Sequence, residues 1–358
     1  MTKERLTHSR MQSFKLCRKK HYYEYEVGIR KETDAKALRM GHAGHEGLDQ
    51  LKKTNLIDVA CQAVKDEYKN CPPEISQYDW EIEEQTVLTL LEMYNWYWHY
   101  WSLNEHEPFN VIVSEASFDF PLRNPKTGYA AKNFDRAGKI DGIIKKNGRK
   151  LVLEHKFLGE DISHGGSFFE RLRLDQQCTN YVDAANSLFD NVDGVLYDLI
   201  RKPTIQPTAI PVLDEDGKKI VLDSSGERVY NKDGKTYRQS ADKKLGYEIV
   251  TRDMTVEEWG LKLAVDIEKR PDFYFQRHEI ARLESDIQEF REEVWQIQLD
   301  IRSHQRSGNW YKTVNKGSCT YCPFTSLCLN RSQIDKNTQP YDYPEGFVKL
   351  EDVHPELG

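Results

Sequence analysis

The stretch Lys139–Phe157 reads KIDGIIKKNGRKLVLEHKF and predicts two antiparallel strands joined by a tight turn. Asn147-Gly148 forms the turn, because a two-residue type I′ turn requires positive φ at both central positions. Counting outward from that turn along both strands brings Asp141 opposite Glu154. The two-residue period of a strand then places Lys156 beside Glu154 on the same face. The sequence therefore predicts two carboxylates and one ammonium group at a single point of a sheet.

Two like charges that face each other destabilise a strand pair, so this arrangement calls for a compensating group. Carboxylate oxygens are the ligands that Mg²⁺ and Mn²⁺ prefer, and a lysine beside them can polarise a water or hold a phosphate oxygen. The pattern is typical of metal-assisted phosphodiester hydrolysis. The alternative is an exposed hairpin, because charged and apolar residues alternate in any half-buried strand.

Asp141 followed by Glu154-His155-Lys156 resembles the D…(D/E)xK signature of the PD-(D/E)XK nuclease superfamily. The resemblance implies an α/β, restriction-endonuclease-like core with a mixed central sheet flanked by helices. It also implies that Asp141, Glu154 and the backbone carbonyl of His155 hold Mg²⁺ or Mn²⁺. Asp141, Glu154 and Lys156 are then the catalytic residues.

Two more motifs resemble the RecB/Cas4-like exonuclease branch of that superfamily. Gly41-xxx-His45 precedes a helical pattern and resembles a motif whose histidine is a third metal ligand, with His42 as the alternative. Gln177-xxx-Tyr181 is an i, i+4 pair on one face of a predicted helix. It resembles the QxxxY motif, which implies that Gln177 and Tyr181 bind DNA and position the lysine.

One further carboxylate belongs to the candidate site. Glu115 lies among apolar residues on a strand predicted from Val111 to Leu122. The superfamily often places an acid just before the hairpin, so Glu115 is a candidate for a position beside the metal ligands.

Four of the seven cysteines form a pattern of their own. Cys319 and Cys322 make a CxxC pair, Cys328 follows closely, and Cys17 lies some three hundred residues earlier. Thiolates this close in a reducing compartment imply a metal with Cys17 as the fourth ligand, and spacing alone leaves zinc and iron–sulfur open. The set resembles the iron–sulfur staple of Cas4-like nucleases, which implies a [4Fe-4S] cluster that ties the two ends of the chain together.

The organisation of the chain follows from local patterns. We predict one nuclease domain over residues 1–358, with N-terminal helices and the catalytic core in 1–203. Asp-Gly and Ser-Gly pairs recur at short intervals in 204–250 and predict an inserted β-hairpin region. Residues 251–358 are predicted as a helical segment and a cysteine-cluster extension. Residues 255–303 are predicted to be helical, and a heptad-like apolar stripe runs from Ile280 to Ile301 within them.

Composition limits the class of protein. The 358 residues carry a net charge of −7, with 38% hydrophobic and 30% charged residues. No apolar run is long enough to cross a membrane, and residues 1–13 lack the apolar segment of a secretory signal. We therefore expect an intracellular, cytoplasmic protein, which includes the case of a phage-encoded protein in a bacterial host.

The basic residues are unevenly distributed. Residues 1–40 hold eleven Lys and Arg against five Asp and Glu, and residues 124–156 hold nine against three. Phosphates are bound by particular Lys and Arg residues rather than by net charge, so this distribution favours a polyanionic substrate at the hairpin. The alternative is a solvated charged surface.

Together these features predict a metal-dependent DNA nuclease. The resemblance implies an exonuclease acting on single-stranded DNA or DNA ends, in recombination, repair, phage replication or CRISPR adaptation. Since the sequence has no P-loop motif, a helicase or another recombination or replication protein would supply unwinding. Two other interpretations remain open: a DNA-binding or assembly module with a vestigial site, and a zinc-stapled structural protein.

Overall fold

The computed structural model describes residues 3–101 and 109–357. Its strands, in chain order, are β1 Glu4–Leu6, β2 Ile29–Lys31, β3 Asn110–Arg123, β4 Ala130–Lys146, β5 Arg149–Leu158, β6 Val192–Arg201, β7 Ile210–Pro211, β8 Val221–Leu222, β9 Glu248–Ile249, β10 Thr251–Arg252, β11 Phe275–Ala281 and β12 Phe347–Lys349.

The α-helices are α1 His8–Leu16, α2 Arg18–His21, α3 Lys36–Thr54, α4 Ile57–Glu67, α5 Gln77–Trp96, α6 Ser167–Leu172, α7 Gln176–Phe189, α8 Val256–Lys269, α9 Pro271–Tyr274, α10 Glu284–Ser307, α11 Lys316–Thr320 and α12 Thr325–Leu329. Two π-helical segments, Tyr22–Val27 and Tyr97–Trp101, continue α2 and α5, and the described chain ends in a 3₁₀ turn, Pro355–Leu357.

A mixed six-stranded sheet forms the centre of the described structure. Its order is β1-β4-β5-β6-β11, with β3 paired to the other edge of β4. The β4–β5 pair is antiparallel and the β5–β6 pair is parallel, so α6 and α7 form the crossover between β5 and β6. The buried strand β6 is therefore the neighbour of the hairpin within the sheet.

Helices cover both faces of this sheet. On one face α3, α5 and α8 bury Leu48, Leu91 and Leu263 in a core shared with Phe157 of β5. On the other face α7 buries Val182 against Val152 and neighbouring strand residues. The predicted α/β architecture, a mixed sheet between helical layers, is confirmed.

The central hairpin has the predicted turn and register. Asn147 and Gly148 both adopt positive φ, 50° and 81°, as a type I′ turn requires. The ladder runs from Lys146–Arg149 to Gly142–Leu153. Asp141 and Glu154 are the next residues on the two strands, one position beyond the last paired residues.

The strands of the hairpin part at that position. Beyond Gly142 the edge of β4 that had faced β5 pairs instead with β1, in parallel, at Phe134–Arg136. Residues 137–141 lie between these two ladders, so the sheet opens beside Asp141. This opening positions the candidate site.

The two ends of the chain meet on one side of the molecule. β12 pairs with β2, and Tyr23 and Val27 share a small core with Phe324 and Leu327. The first of the predicted N-terminal helices begins at His8 with Thr7 as its cap. It ends at Cys17, whose backbone is extended (φ −162°, ψ 122°).

The prediction of a continuous helix over residues 255–303 is wrong. β11 interrupts it, and every residue of that strand pairs with β6, from Phe275–Ile200 to Ala281–Gly194. Aromatic and β-branched residues in this segment suit a strand once a sheet edge is available to pair with. In α10 the apolar stripe packs onto the chain itself, with Phe290, Val294 and Ile301 in one core cluster.

Short hairpins occupy the region predicted as an insertion. β7 pairs with β10 and β8 with β9, and isolated bridges join the intervening turns. The carboxylate of Asp214 accepts from the backbone N–H groups of Asp216 and Lys218, and Asp223 caps the next turn in the same way. The boundaries of the units remain predictions. Among the described helices, none combines the length and apolarity needed to cross a bilayer.

Candidate active site

A cleft of about 550 Å³ opens where β4 and β5 part. Its walls come from α1, α3, β3, β4, β5, α7 and the C-terminal turn. The predicted residues that line it are His42, His45, Glu115, Asp141, Glu154, His155, Lys156, Gln177 and Tyr181. The tertiary structure therefore brings together every predicted site residue apart from the four cysteines.

Asp141 is held from three directions. Its Oδ2 atom accepts the backbone N–H of His155 at 2.9 Å and lies 3.5 Å from His45 Nδ1. Lys52 Nζ donates to the carbonyl of Asp141 at 2.7 Å. Burial acts to raise the pKa of Asp141, but His45, His155 and Lys52 outweigh it and hold the pKa below its usual value. Asp141 is therefore ionised at neutral pH.

Glu154 and Lys156 form the opposite side of the site. Lys156 Nζ donates to Glu154 Oε1 and to Gln177 Oε1, both at 2.9 Å, and Gln177 Nε2 donates to the Tyr181 hydroxyl at 3.2 Å. The position of Gln177 is set by the start of α7, where Asp175 caps the helix by accepting the Gln177 backbone N–H at 2.8 Å. The ammonium group is thus fixed by residues from two elements.

The pKa values of Glu154 and Lys156 are both shifted by their surroundings. Burial raises the pKa of Glu154 to about 8, and the negative charge of Asp141 adds to the effect while Lys156 opposes it. Burial lowers the pKa of Lys156, but Glu154 and Asp175 outweigh it and keep the pKa above its usual value. The lysine is charged, and Glu154 is a carboxyl group that a nearby cation would convert to carboxylate.

The donor atoms of the cleft suit a hard divalent cation. Glu154 Oε2 is buried and has no hydrogen-bond partner within the described residues, although a buried oxygen of this kind normally has one. Glu154 lines the same cleft as Asp141 and His45. As they stand, no three His, Cys, Asp or Glu side chains of residues 3–101 and 109–357 form a complete metal-binding group. A cation here would draw Asp141, Glu154 and His45 together, with the carbonyl of His155 as a further oxygen donor.

A comparison with family models agrees with this geometry. Residues 5–329 match the model of the PD-(D/E)XK nuclease superfamily, which covers most of the chain. The chain belongs to this superfamily. It is therefore a nuclease of a class that acts on DNA and typically uses Mg²⁺ or Mn²⁺. No curated protein matches the chain.

His45 reaches the nuclease site because α3 packs closely on β5. A Cβ atom at Gly44 would collide with the ring of Phe157, so glycine is what permits this approach. The His45 side chain is 40% exposed and faces the cleft, as a metal ligand would need to. His42, the alternative, also lines the cleft but lies further round the helix and is exposed.

The side chain of His155 belongs to a buried network behind the nuclease site. Its Nδ1 atom lies 3.2 Å from Asp198 Oδ2, and Asp198 accepts hydrogen bonds from Arg277 at 3.1 Å and from the Tyr94 hydroxyl. Burial would raise the pKa of Asp198, but Arg277 and His155 hold it well below its usual range. This network fixes the strand that carries Glu154 and Lys156.

Glu115 lines the same cleft as Asp141 and Glu154, and its backbone is unusual. Its φ is 57°, which a residue with a side chain rarely adopts, and Ser114–Gly142 and Ala116–Ile140 pairs place it next to Asp141. Lys139 and Lys53 donate to its carboxylate at 2.8 and 3.3 Å. Burial acts to raise the pKa of Glu115, but these two lysines lower it overall.

Sequence reasoning missed several residues of the cleft. Asp49 is buried one turn after His45, and its Oδ1 atom has no hydrogen-bond partner within the described chain. An i, i+4 spacing from His45 could have indicated it. His8 and Glu356 also line the cleft, and no local signal marks them because both arrive from the chain ends.

Cys17, Cys322 and Cys328 lie near one another where the two ends of the chain meet, and the backbone carbonyl of Cys319 accepts the Cys322 N–H at 3.3 Å. Thr313 N–H donates to Cys17 Sγ at 3.4 Å, and Cys322 and Cys328 pack against the core around Tyr23. Burial raises the pKa of the Cys322 and Cys328 thiols, and the charge of Cys17 contributes to both shifts, so these three sulfurs are neighbours. They do not form a metal-binding group among the described residues as placed.

Proposed function

We propose that this protein is a Mg²⁺- or Mn²⁺-dependent deoxyribonuclease, and specifically an exonuclease of the RecB/Cas4-like branch. The observation that carries the proposal is the convergence of Asp141, Glu154 and Lys156 in one cleft, with Glu154 Oε2 buried and lacking a hydrogen-bond partner in the described structure. His45 and the Gln177–Tyr181 pair at the same cleft support the branch assignment.

Each side chain has a role that its surroundings support. Asp141, Glu154, His45 and the His155 carbonyl would hold the cation, which supplies Lewis-acid stabilisation of the phosphate and a more acidic water. Lys156 is charged, and hydrogen bonds to Glu154 and Gln177 hold its ammonium group in place. It stabilises the negative charge that develops on the phosphate or orients the attacking water. Gln177 and Tyr181 contact the DNA strand.

The deciding experiment is a digest of end-labelled single- and double-stranded DNA and of closed circles, with EDTA, Mg²⁺ or Mn²⁺. An exonuclease shortens linear strands only with a divalent cation and leaves circles intact. Cleavage of circles would show that the enzyme is an endonuclease and not an exonuclease. DNA binding without cleavage under every condition would favour the vestigial-site interpretation.

Lys156→Ala tests the catalytic assignment. Loss of the preorganised positive charge is expected to reduce cleavage by about a hundredfold or more. Calorimetric Mn²⁺ binding should persist, because the cation ligands remain. Lys269→Ala, an exposed lysine at the end of α8, is the matched control and should cut like the wild type. Full activity in Lys156→Ala would contradict the mechanism.

The cysteines carry a separate proposal. Cys17, Cys319, Cys322 and Cys328 bind a [4Fe-4S] cluster that staples the chain ends, as their order and the proximity of Cys17 to Cys322 and Cys328 support. Iron and sulfide analysis of anaerobically purified protein should find about four of each per chain. One zinc and no iron would favour the zinc-stapled alternative.

The proposed activity includes a partner protein that unwinds the DNA. Single-stranded DNA or DNA ends would reach the cleft with a helicase or another recombination or replication protein supplying unwinding. Stimulation of cleavage on blunt duplexes by a helicase would support this arrangement.

A further inference from the structure

The ladder between β3 and β4 is interrupted beside the catalytic aspartate. It includes the Ser114–Gly142 and Ala116–Ile140 pairs but skips the Glu115–Asp141 pair between them. Glu115 has a φ of 57°, which turns its backbone out of the extended conformation that strand pairing needs. The backbone of Asp141 is therefore left without its expected partner in β3.

Lys52 supplies a hydrogen bond at this interruption. Its Nζ atom donates to the backbone carbonyl of Asp141 at 2.7 Å. A carbonyl that lacks a partner inside a protein is costly, so this bond stabilises the interrupted strand. Lys52 follows His45 by seven residues on α3, and this spacing puts both side chains on one face of the helix. The helix thus approaches Asp141 twice, at the carboxylate through His45 and at the backbone through Lys52.

Ion pairs hold the surroundings of Lys52 in place. The Glu115 carboxylate accepts from Lys139 at 2.8 Å and from Lys53 at 3.3 Å, and Lys53 also pairs with Asp49. These contacts join β3, β4 and α3 around the interruption. Lys52 is half-buried and lines the cleft. Burial lowers its pKa, and the negative charges of Asp141, Asp49 and Glu115 act to raise it.

Asp141 is also bound to the strand that carries the catalytic lysine. Its Oδ2 atom accepts the backbone N–H of His155 at 2.9 Å, and His155 lies between Glu154 and Lys156 in β5. A shift of the Asp141 backbone would therefore change the distance from its carboxylate to Glu154 and Lys156. Misplacing a catalytic group by about 1 Å can cost about a hundredfold in rate.

We propose that Lys52 is a positioning residue of the nuclease site, whose ammonium group replaces the missing β3 partner of Asp141 and holds the Asp141 carboxylate beside Glu154 and Lys156. Lys52 acts through Asp141 and not on the DNA. The rare backbone conformation of Glu115 is then part of the site, because it frees the carbonyl that Lys52 binds. This inference rests on the proposed nuclease function and assigns a role to a residue outside its motifs.

Hydrogen exchange at the His155 amide reports the position of Asp141 without any cleavage. Lys52→Met keeps an unbranched side chain of similar length but has no donor, and Lys52→Arg keeps both a donor and the positive charge. Exchange is followed by mass spectrometry at residue resolution, in EDTA and without DNA. In Lys52→Met the His155 amide should exchange about fivefold to tenfold faster than in the wild type, and in Lys52→Arg it should exchange at nearly the wild-type rate.

Single-turnover cleavage at saturating Mn²⁺ and saturating DNA tests whether this position matters for the reaction. Lys52→Met should lower the rate constant about tenfold to a hundredfold, and Lys52→Arg should recover most of it. Lys150→Met is the matched control, because Lys150 donates to the Phe189 carbonyl at 2.5 Å near the turn end of β5. It loses the same kind of bond and should leave both the His155 exchange and the cleavage rate unchanged.

Several results would overturn the proposal. One is unchanged His155 exchange in Lys52→Met, and another is faster exchange with a wild-type cleavage rate. Tighter Mn²⁺ binding with unchanged exchange would show that Lys52 acts on the cation through its charge alone. A loss confined to DNA affinity would show that Lys52 binds the strand directly.

Failure of the proposed function would give a different result. If the wild type cleaves DNA with no cation tested, the nuclease assignment falls, and His155 exchange still decides whether Lys52 holds Asp141. Thermal melting shows whether each variant is folded. Lys52→Gln replaces Lys52→Met if the latter does not fold, because the glutamine amide ends one bond short of the Nζ position.

Discussion

At the scale of single residues, the site is defined by groups whose preferred protonation is altered by their neighbours. Glu154 is 2% exposed, and burial together with Asp141 raises its pKa to about 8. Such a group is unfavourable as a bare carboxylate and favourable as a cation ligand. Lys156 stays charged beside it because two acids outweigh the cost of burial.

Replacing Gln177 tests how strongly the rate of cleavage depends on the position of Lys156. The amide oxygen of Gln177 accepts from Lys156 Nζ at 2.9 Å, so Gln177→Ala releases the ammonium group without removing its charge. We expect cleavage to fall by about a hundredfold, since misplacement of a catalytic group by about 1 Å can cost that much. Single-turnover rates measure the effect, and Mn²⁺ affinity serves as the control because it should stay at the wild-type value. An unchanged rate would show that Glu154 alone positions the lysine.

At the scale of elements, the site depends on how closely α3 packs on the catalytic strand. Gly44 lies against Phe157, and His45 is the next residue along the helix. The opening between β4 and β5 depends in turn on β1, which pairs with β4 where β5 has left it. A helix and a three-residue strand thus set the distance between the acids and the histidine.

Gly44→Ala should separate these elements. The added methyl group collides with Phe157, so α3 must shift, at an expected cost of about 1–3 kcal/mol in the free energy of unfolding. Urea unfolding followed by circular dichroism measures the loss, and Mn²⁺ affinity should fall with it because His45 moves. Gly41→Ala is the matched comparison for stability: its Cβ meets nothing within 4 Å, so it should be neutral or stabilising by up to about 1 kcal/mol. Equal stability of the two variants would contradict the packing argument.

At the scale of the whole molecule, neutral histidines are buried far from the cleft as well as in it. His21 is fully buried, and burial, Arg10, His304, Arg18 and His354 all lower its pKa well below the usual value. Burial also lowers the pKa of His278, which is 1% exposed. Each therefore binds a proton less readily in the folded chain than in the unfolded chain, where a histidine has a pKa of about 6.5.

Acid should therefore destabilise the metal-free protein from about pH 6.5 downward. In that range the unfolded chain binds more protons than the folded chain, so stability falls by about 1.4 kcal/mol per pH unit for each such histidine. Glu154 acts in the opposite sense, because its raised pKa makes the folded chain hold a proton that the unfolded chain has lost. It is one group against four histidines with a lowered pKa, which are His8, His21, His45 and His278. Urea unfolding in EDTA at pH 7, 6 and 5 measures the slope. His21→Phe should reduce it, and a flat profile in the wild type would contradict the prediction.

The sequence by itself determined the parts of this nuclease that depend on near neighbours. Asn147-Gly148 specified the turn, the strand period specified the register, and register placed Asp141 and Glu154 at matching positions. The helix cap at Asp175 and the i, i+4 spacing likewise specified how Gln177 and Tyr181 share a face. Each of these relations spans few residues, so local conformational preference is enough to set it.

Only the tertiary structure decided where the hairpin opens and what enters the opening. β1 takes the place of β5 beside β4, His8 and Glu356 arrive from opposite ends of the chain, and the segment expected as helix becomes β11 because the edge of β6 needs a partner. These contacts join residues more than seventy positions apart. Their free energy comes from burial and strand pairing that exist only once the sheet has formed, so no local pattern in the sequence records them.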